Sequence, residues 1–151
     1  MGNDYVLDTY VFVHSMSKSD SDYDLDCVGL LWNIKEKNKV ICIDIEGEIL
    51  QEYKKHDFYK DRFTGEIWRI MEGTNRIKRI YGKLSNKNKE NLIKRKFDSD
   101  DFKFLAVANR TPSKKLVSGD SDYDEENVHE YICKKMRIVL QKPIDALNEM
   151  K

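Results

Sequence analysis

Short apolar runs along the chain alternate with longer stretches whose apolar residues recur every three or four positions. The runs read as buried strands and the longer stretches as helices packed on them. Tyr5-Val6-Leu7, ending at Asp8, is the first run, and Val11 to Val13 keeps the chain apolar beyond it. Ser15 to Asp24 is rich in serine and aspartate and reads as a loop. Leu25 to Ile34 carries Val28, Leu31, Trp32 and Ile34 close to helical spacing. Lys39 to Ile43 reads as the second strand, with Asp44 leaving it. Ile45 to Lys60 then places Ile49, Leu50 and Tyr53 together and stacks Glu48 on Glu52. A helix directly after a strand is the βα step of a parallel sheet.

Thr64 to Leu84 reads as a further helix, with Ile67, Ile70, Met71, Thr74, Ile77, Ile80, Tyr81 and Leu84 in one stripe. Arg76, Arg79 and Lys83 fall on another face, and Gly73 and Gly82 weaken the helix. Asn86 to Lys96 is polar and basic and fits either helix or loop. Ser99 to Asn109 reads as a helix capped by Asp98 or Ser99, burying Phe102, Phe104, Leu105, Val107 and Ala108. Thr111-Pro112-Ser113 ends it. The third strand, Leu116-Val117, stops at Ser118-Gly119-Asp120. A helix over Asp124 to Lys134 and a last strand over Arg137 to Leu140 follow. Pro143 opens a closing helix with Ile144, Leu147 and Met150 on one side. The alternation predicts the α/β class: three α/β/α layers around a central parallel sheet of four to five strands. A single domain over 1–151 is expected, with a helical basic segment, 54–97, inserted between strands two and three.

Composition narrows the classes. The chain is 36% charged, and no apolar run approaches the roughly 18 residues a membrane span needs. The N-terminus has no basic stretch followed by an apolar one, so no signal peptide is expected and the cytoplasm is favoured. Lys+Arg and Asp+Glu balance at 27 each, but they are segregated. Asn75 to Lys96 is strongly basic with Glu90 as its one acid, whereas acids dominate Asp98 to Glu130 and Asp20 to Asp26. Such blocks can set a cation site beside a polyanion track.

Four acids fall where the carboxyl edge of the sheet is expected, which is where ligands gather in open α/β sheets. Asp8 ends strand one, and Glu52 lies in the helix after strand two. Asp101 opens the helix before strand three, and Asp120 ends that strand with Asp122 close by. Glu48 or Asp44 competes with Glu52, and Asp100 competes with Asp101. No lysine or arginine is interleaved at the four points, so a divalent cation is the expected partner. All-carboxylate oxygen sites suit Mg2+ or Mn2+ rather than zinc, and such ions activate water and polarise phosphoryl oxygens.

These residues resemble the PIN-domain nucleases. Val6-Leu7-Asp8-Thr9-Tyr10-Val11-Phe12 is similar to the family's first motif, and Ile49-Leu50-Gln51-Glu52-Tyr53 to its second. Asp101, seven residues ahead of Ala108, resembles the third motif, and Leu116-Val117-Ser118-Gly119-Asp120-Ser121-Asp122-Tyr123 the fourth. Arg137 to Leu140 and Pro143 to Leu147 are similar to the final strand and helix. The resemblance implies a metal-dependent endoribonuclease, with RNA preferred over DNA. Asp8, Glu52, Asp101 and Asp120 would be the acidic catalytic set, with Asp122 an auxiliary ligand and Ser118 steadying the pocket. Tyr10 departs from the pattern, standing where the family has a small polar residue. The resemblance also implies a toxin held by an antitoxin protein, and a homodimer. The rival readings are a PIN-like nucleic-acid or protein binding module whose catalysis has lapsed, and a phosphatase for small substrates. Arg76, Arg79 and Lys83 are the expected nucleic-acid contacts.

The remaining candidates read as structural. Cys27, Cys42 and Cys133 lack metal spacing and read as reduced core thiols. His14, His56 and His129 are equally scattered, and Trp32 and Trp68 sit on apolar stripes as core residues. Asp20-Ser21-Asp22-Tyr23-Asp24 recurs as Asp120 to Asp124, but neither copy has the glutamate of a calcium hand.

Overall fold

A computed structural model describes residues 3–17 and 23–151 of the chain. Five parallel strands form one sheet in the order β3-β2-β1-β4-β5. They are β1 (Asp4–Leu7), β2 (Val40–Asp44), β3 (Ile77–Ile80), β4 (Lys115–Val117) and β5 (Val139–Gln141). The helices are α1 (Thr9–Val13), α2 (Leu25–Glu36), α3 (Glu48–Lys55), α4 (Arg62–Gly73), α5 (Asn86–Lys94), α6 (Phe102–Ala108), α7 (Glu126–Glu130) and α8 (Pro143–Met150). α7 runs on into a π-helical turn over Tyr131–Lys135. The molecule is α/β, with helices covering the sheet in three layers: α6 packs on β2, β1 and β4, and α2 packs on α4 and α8.

β1 is central because Tyr5, Val6 and Leu7 are apolar on both faces, as a strand covered from both sides requires. Val6 pairs with Leu116 and Leu7 with Val117, so β1 and β4 end side by side. The chain leaves β1 toward β2 and β3 on one side and reaches β4 and β5 on the other. That reversal is a switch point of the kind at which open α/β sheets place their ligands, beyond the carboxyl ends of β1 and β4. Below it, Phe12, Tyr53, Phe58 and Trp68 pack as tilted and edge-to-face rings.

The principal correction lies at Thr64–Leu84, which is not one helix. α4 ends at Gly73, Asn75 takes a left-handed φ of 59°, and Ile77–Ile80 is an edge strand beside β2. Gly73 weakens the helix and Asn tolerates the left-handed turn that reverses the chain. Ile77 and Ile80 sit three apart, a helical spacing that in a strand sends them to opposite faces, and pairing with Ile41–Asp44 decides for the strand. The 54–97 segment is therefore not wholly helical, and it supplies a strand with exposed Lys78 and Arg79, charges of the kind that protect sheet edges.

Smaller differences follow the same logic. Ile45 to Lys60 holds a shorter helix, α3, and Ser99–Asp101 is a 3₁₀ turn ahead of α6. The last strand begins at Val139 rather than Arg137. Ile144 is 38% exposed while Ala146 is buried beside Leu147 and Met150, so the buried side of α8 is rotated from the expected one. Trp68 is core, but Trp32 is 49% exposed, with the Lys35 ammonium 3.5 Å from its ring centre. Cys27 and Cys42 are buried thiols; Cys133 is only half-buried, 3.6 Å from His129 Nε2. Much of the loop expected over Ser15–Asp24, and most of the first Asp-Ser-Asp copy, lies outside the described residues.

Candidate metal centre

Asp8 follows β1, its backbone N–H bonded to the Val117 carbonyl at 2.9 Å, so its place is set by the β1–β4 ladder. It is 5% exposed. Ser118, one residue beyond β4, donates its hydroxyl to Asp8 Oδ2 at 2.6 Å and accepts the Asp120 N–H at 3.0 Å. One hydroxyl therefore ties the two strand ends together.

Glu52 comes from α3, which Asp44 starts by accepting the N–H groups of Glu48 (2.9 Å) and Ile49 (2.8 Å). Asp44 is thus committed to a helix cap. The next residue after Glu52, Tyr53, is buried and donates its hydroxyl to the Leu7 carbonyl at 2.5 Å, which locks α3 to the end of β1. Thr9, at the start of α1, donates to Glu52 Oε2.

Asp101 is presented by a 3₁₀ turn that Asp98 caps through the Asp100 N–H, 2.9 Å away. Asp8, Glu52 and Asp101 each offer a carboxylate oxygen, and these oxygens all lie within 4.8 Å of one another. Of the competing acids, Asp44 is a cap, and neither Glu48 nor Asp100 belongs to this group. Asp120 stands outside it too, although its charge still acts on Asp8. Its carboxylate caps a short 3₁₀ turn through the Asp122 N–H at 2.9 Å. Asp122 is exposed and outside the group, so among the expected ligands it has the weakest place.

Burial and crowding together make Asp8 and Asp101 reluctant to ionise. Burial pushes Asp8 up to about 6, with Asp120 and Glu52 adding repulsion and the Ser118 hydrogen bond opposing it. Burial likewise raises Asp101 to about 7, assisted by Asp8, Glu52 and Asp98 and opposed by Lys103. Tyr123, 3% exposed, has a buried hydroxyl without a hydrogen-bond partner among the described residues. Burial raises its pKa well above the phenol range, and Asp8, Asp101, Asp120 and Glu52 all add to that shift, so the hydroxyl lies within reach of their charges.

Two residues depart from expectation. Lys103 is interleaved after all: its ammonium lies 2.6 Å from Glu52 Oε1. In the sequence it was hidden two places beyond Asp101, where helical geometry alone does not send it to Glu52. Tyr10 lies with its ring edge over Gly119, so close that a Cβ there would meet it at 2.3 Å. Its face stacks on His14 at 3.7 Å between ring centres. The bulk at this position is accommodated by a glycine in the β4 turn.

The expected basic contacts do not gather here. Arg76 precedes β3, at the opposite edge of the sheet from the acids, and its guanidinium donates to the carbonyls of Ile34 (3.1 Å) and Lys35 (2.9 Å) at the end of α2. Arg79 is exposed on the edge strand. Lys83 lies beyond β3 and lines a cleft of about 340 Å³ with Lys89, Tyr81, Phe102 and Lys103. Lys83 thus shares that cleft with Lys103, the partner of Glu52. Comparison of the chain with models of protein families, with curated proteins and with solved structures finds no match.

Proposed function

We propose that the protein is a divalent-metal-dependent endoribonuclease that hydrolyses phosphodiester bonds of RNA. The observation that carries the reading is the meeting of Asp8, Glu52 and Asp101 within 4.8 Å at the carboxyl edge of a parallel sheet. Carboxylates brought this close repel one another unless protonated or neutralised, and an all-oxygen donor set fits Mg2+ or Mn2+. The buried Tyr123 hydroxyl, which feels their charges and has no hydrogen-bond partner among the described residues, adds a further polar group to that fit. Asp8, Glu52 and Asp101 would hold the ion, with Asp120 at the margin. A bound ion of this kind supplies Lewis acidity and a water activated near neutral pH. The chain's part is to set the three carboxylates: Ser118 orients Asp8, Thr9 orients Glu52, and the Asp98-capped turn presents Asp101.

RNA as the substrate, an antitoxin partner, a homodimer and a cytoplasmic setting come from the resemblance of the four motifs to PIN-domain nucleases and from the sequence reading. Among the described residues no helix is long and apolar enough to cross a membrane. The rival reading, a binding module without catalysis, is favoured by one observation: Lys103 already neutralises Glu52.

Incubation with end-labelled RNA and Mn2+ separates the two. The nuclease reading expects cleavage that EDTA stops and that Asp8→Asn abolishes. Intact RNA retained in a gel shift would replace it with the binding module. Calorimetric Mn2+ titration of wild type and Asp101→Asn checks the ligand set, and equal affinity would remove Asp101 from it.

A further inference from the structure

Lys103 is an unusual neighbour for a cation site. Its side chain is only 15% exposed, and its ammonium is shared between Glu52 Oε1 and the carbonyl of Asp100. An ammonium is removed from water only at a cost that a close carboxylate must offset. Glu52 does so here, and Lys103 in return lowers the repulsion within the cluster. The partners differ in freedom. Glu52 is held at its second oxygen by Thr9 and through its helix by the Tyr53–Leu7 bond. Lys103 carries its charge on a flexible four-carbon stem.

The space around Lys103 gives that stem somewhere to go. It lines the cleft of about 340 Å³ bounded by Tyr81 and Lys83, and also a second cleft of about 320 Å³ between α3 and the turn before α6. Phe102 and Glu48 line both as well. The lysine therefore stands where two open clefts and the acidic cluster adjoin. An anionic substrate approaching three carboxylates is repelled, and a cation at that junction lessens the repulsion.

We propose that Lys103 is the cation that grips a phosphate of the substrate beside the cluster, leaving Glu52 when a divalent ion takes over the compensation of that carboxylate. This rests on the metal-dependent nuclease reading. With Glu52 holding a metal ion, the Lys103 ammonium would stand as a like-charged neighbour rather than a counter-ion. A phosphodiester in either cleft then offers it a new partner as a point-charge contact. No bond to the lysine is made or broken.

The test compares wild type with Lys103→Met and Lys103→Arg. Lys103→Gln, which keeps a donor for the Asp100 carbonyl, replaces the methionine variant if that does not fold. Three quantities are measured: Mn2+ affinity by calorimetry, Mn2+-dependent binding of a non-cleavable phosphorothioate dinucleotide, and single-turnover RNA cleavage. The expected result for Lys103→Met is Mn2+ affinity equal to or tighter than wild type. Dinucleotide binding should weaken by roughly tenfold and cleavage slow by roughly a hundredfold, the scale for losing one charge contact to a reacting group. Lys103→Arg should keep dinucleotide binding and rate within about tenfold, since the charge persists on a longer head. Loss of Mn2+ affinity in parallel with the other two would make Lys103 a positioning residue for Glu52 and overturn the proposal. Unchanged dinucleotide binding by Lys103→Met would overturn it as well. If wild type binds Mn2+ and dinucleotide but cleaves no RNA, the nuclease reading fails, and the dinucleotide arm still decides the role of the lysine.

Discussion

At the scale of single residues, Asp8 and Asp101 couple the site to pH. Their folded pKa values, about 6 and about 7, lie above the ordinary 3.8. The folded state therefore holds more protons than the unfolded one in this range, and stability falls as pH rises. The contribution is complete below about pH 4 and is lost as pH passes through 6 and 7. Asp101→Asn removes one of the repelling charges. Once solvent screening is allowed for, a gain of about 1 kcal/mol at pH 8 should raise the metal-free melting temperature by roughly 2–4 °C. The difference from wild type should narrow markedly by pH 5. Thermal melts in EDTA at the two pH values check this; a lower melting temperature for the variant at pH 8 would show that the carboxylate is not under strain.

At the scale of elements, two contacts fix how the segment around β3 joins the rest. The loop after β3 passes directly over α6: a Cβ on Gly82 would lie 2.4 Å from the Ala106 carbonyl oxygen. Gly82→Ala must push the loop or helix apart, which costs roughly 1–3 kcal/mol. Urea denaturation should report it as a lower midpoint at unchanged slope. Arg76 ties the start of the same strand to the last carbonyls of α2. Arg76→Gln is therefore expected to cost about 1 kcal/mol of stability and, on the nuclease reading, to leave RNA affinity and its salt dependence unchanged. A flattened salt dependence in filter binding would return Arg76 to the nucleic-acid track.

At the scale of the whole molecule, the reversal of strand order at β1 joins distant parts of the chain into one site. β1, α3 and the turn before α6 bring Asp8, Glu52 and Asp101 together although 93 residues separate the first from the last. Metal binding should then behave as folding energy. At a hundred times the dissociation constant, Mn2+ is expected to stabilise the protein by about 2.7 kcal/mol. If Asp8 and Asp101 hold the proposed ion, it must displace their protons, and its affinity should be weaker by about tenfold or more at pH 5 than at pH 7.5. Calorimetry at the two pH values, with proton release followed in buffers of different ionisation enthalpy, measures this directly. Equal affinity at both would mean the ion does not bind these carboxylates.

Much of this was legible in the chain itself. The apolar runs at Tyr5–Leu7, Val40–Ile43 and Leu116–Val117 determined three strands and the α/β class, because strands buried on both faces need continuous apolar side chains. Turn and cap chemistry at Asp98, Ser118-Gly119-Asp120 and Pro143 marked their places locally, and the acids at strand ends and helix starts stood out for the same reason. What only the tertiary structure decided depends on neighbours remote in sequence. Ile77–Ile80 is a strand because β2 lies beside it, although its apolar spacing suits a helix. Asp101 and Glu52 belong to the cluster while Asp100, Glu48 and Asp44 do not, because a helix start offers several acids and packing selects which one faces inward. Lys103 is the clearest case: nothing local marks it, and only the approach of α3 to α6 sets its ammonium on Glu52.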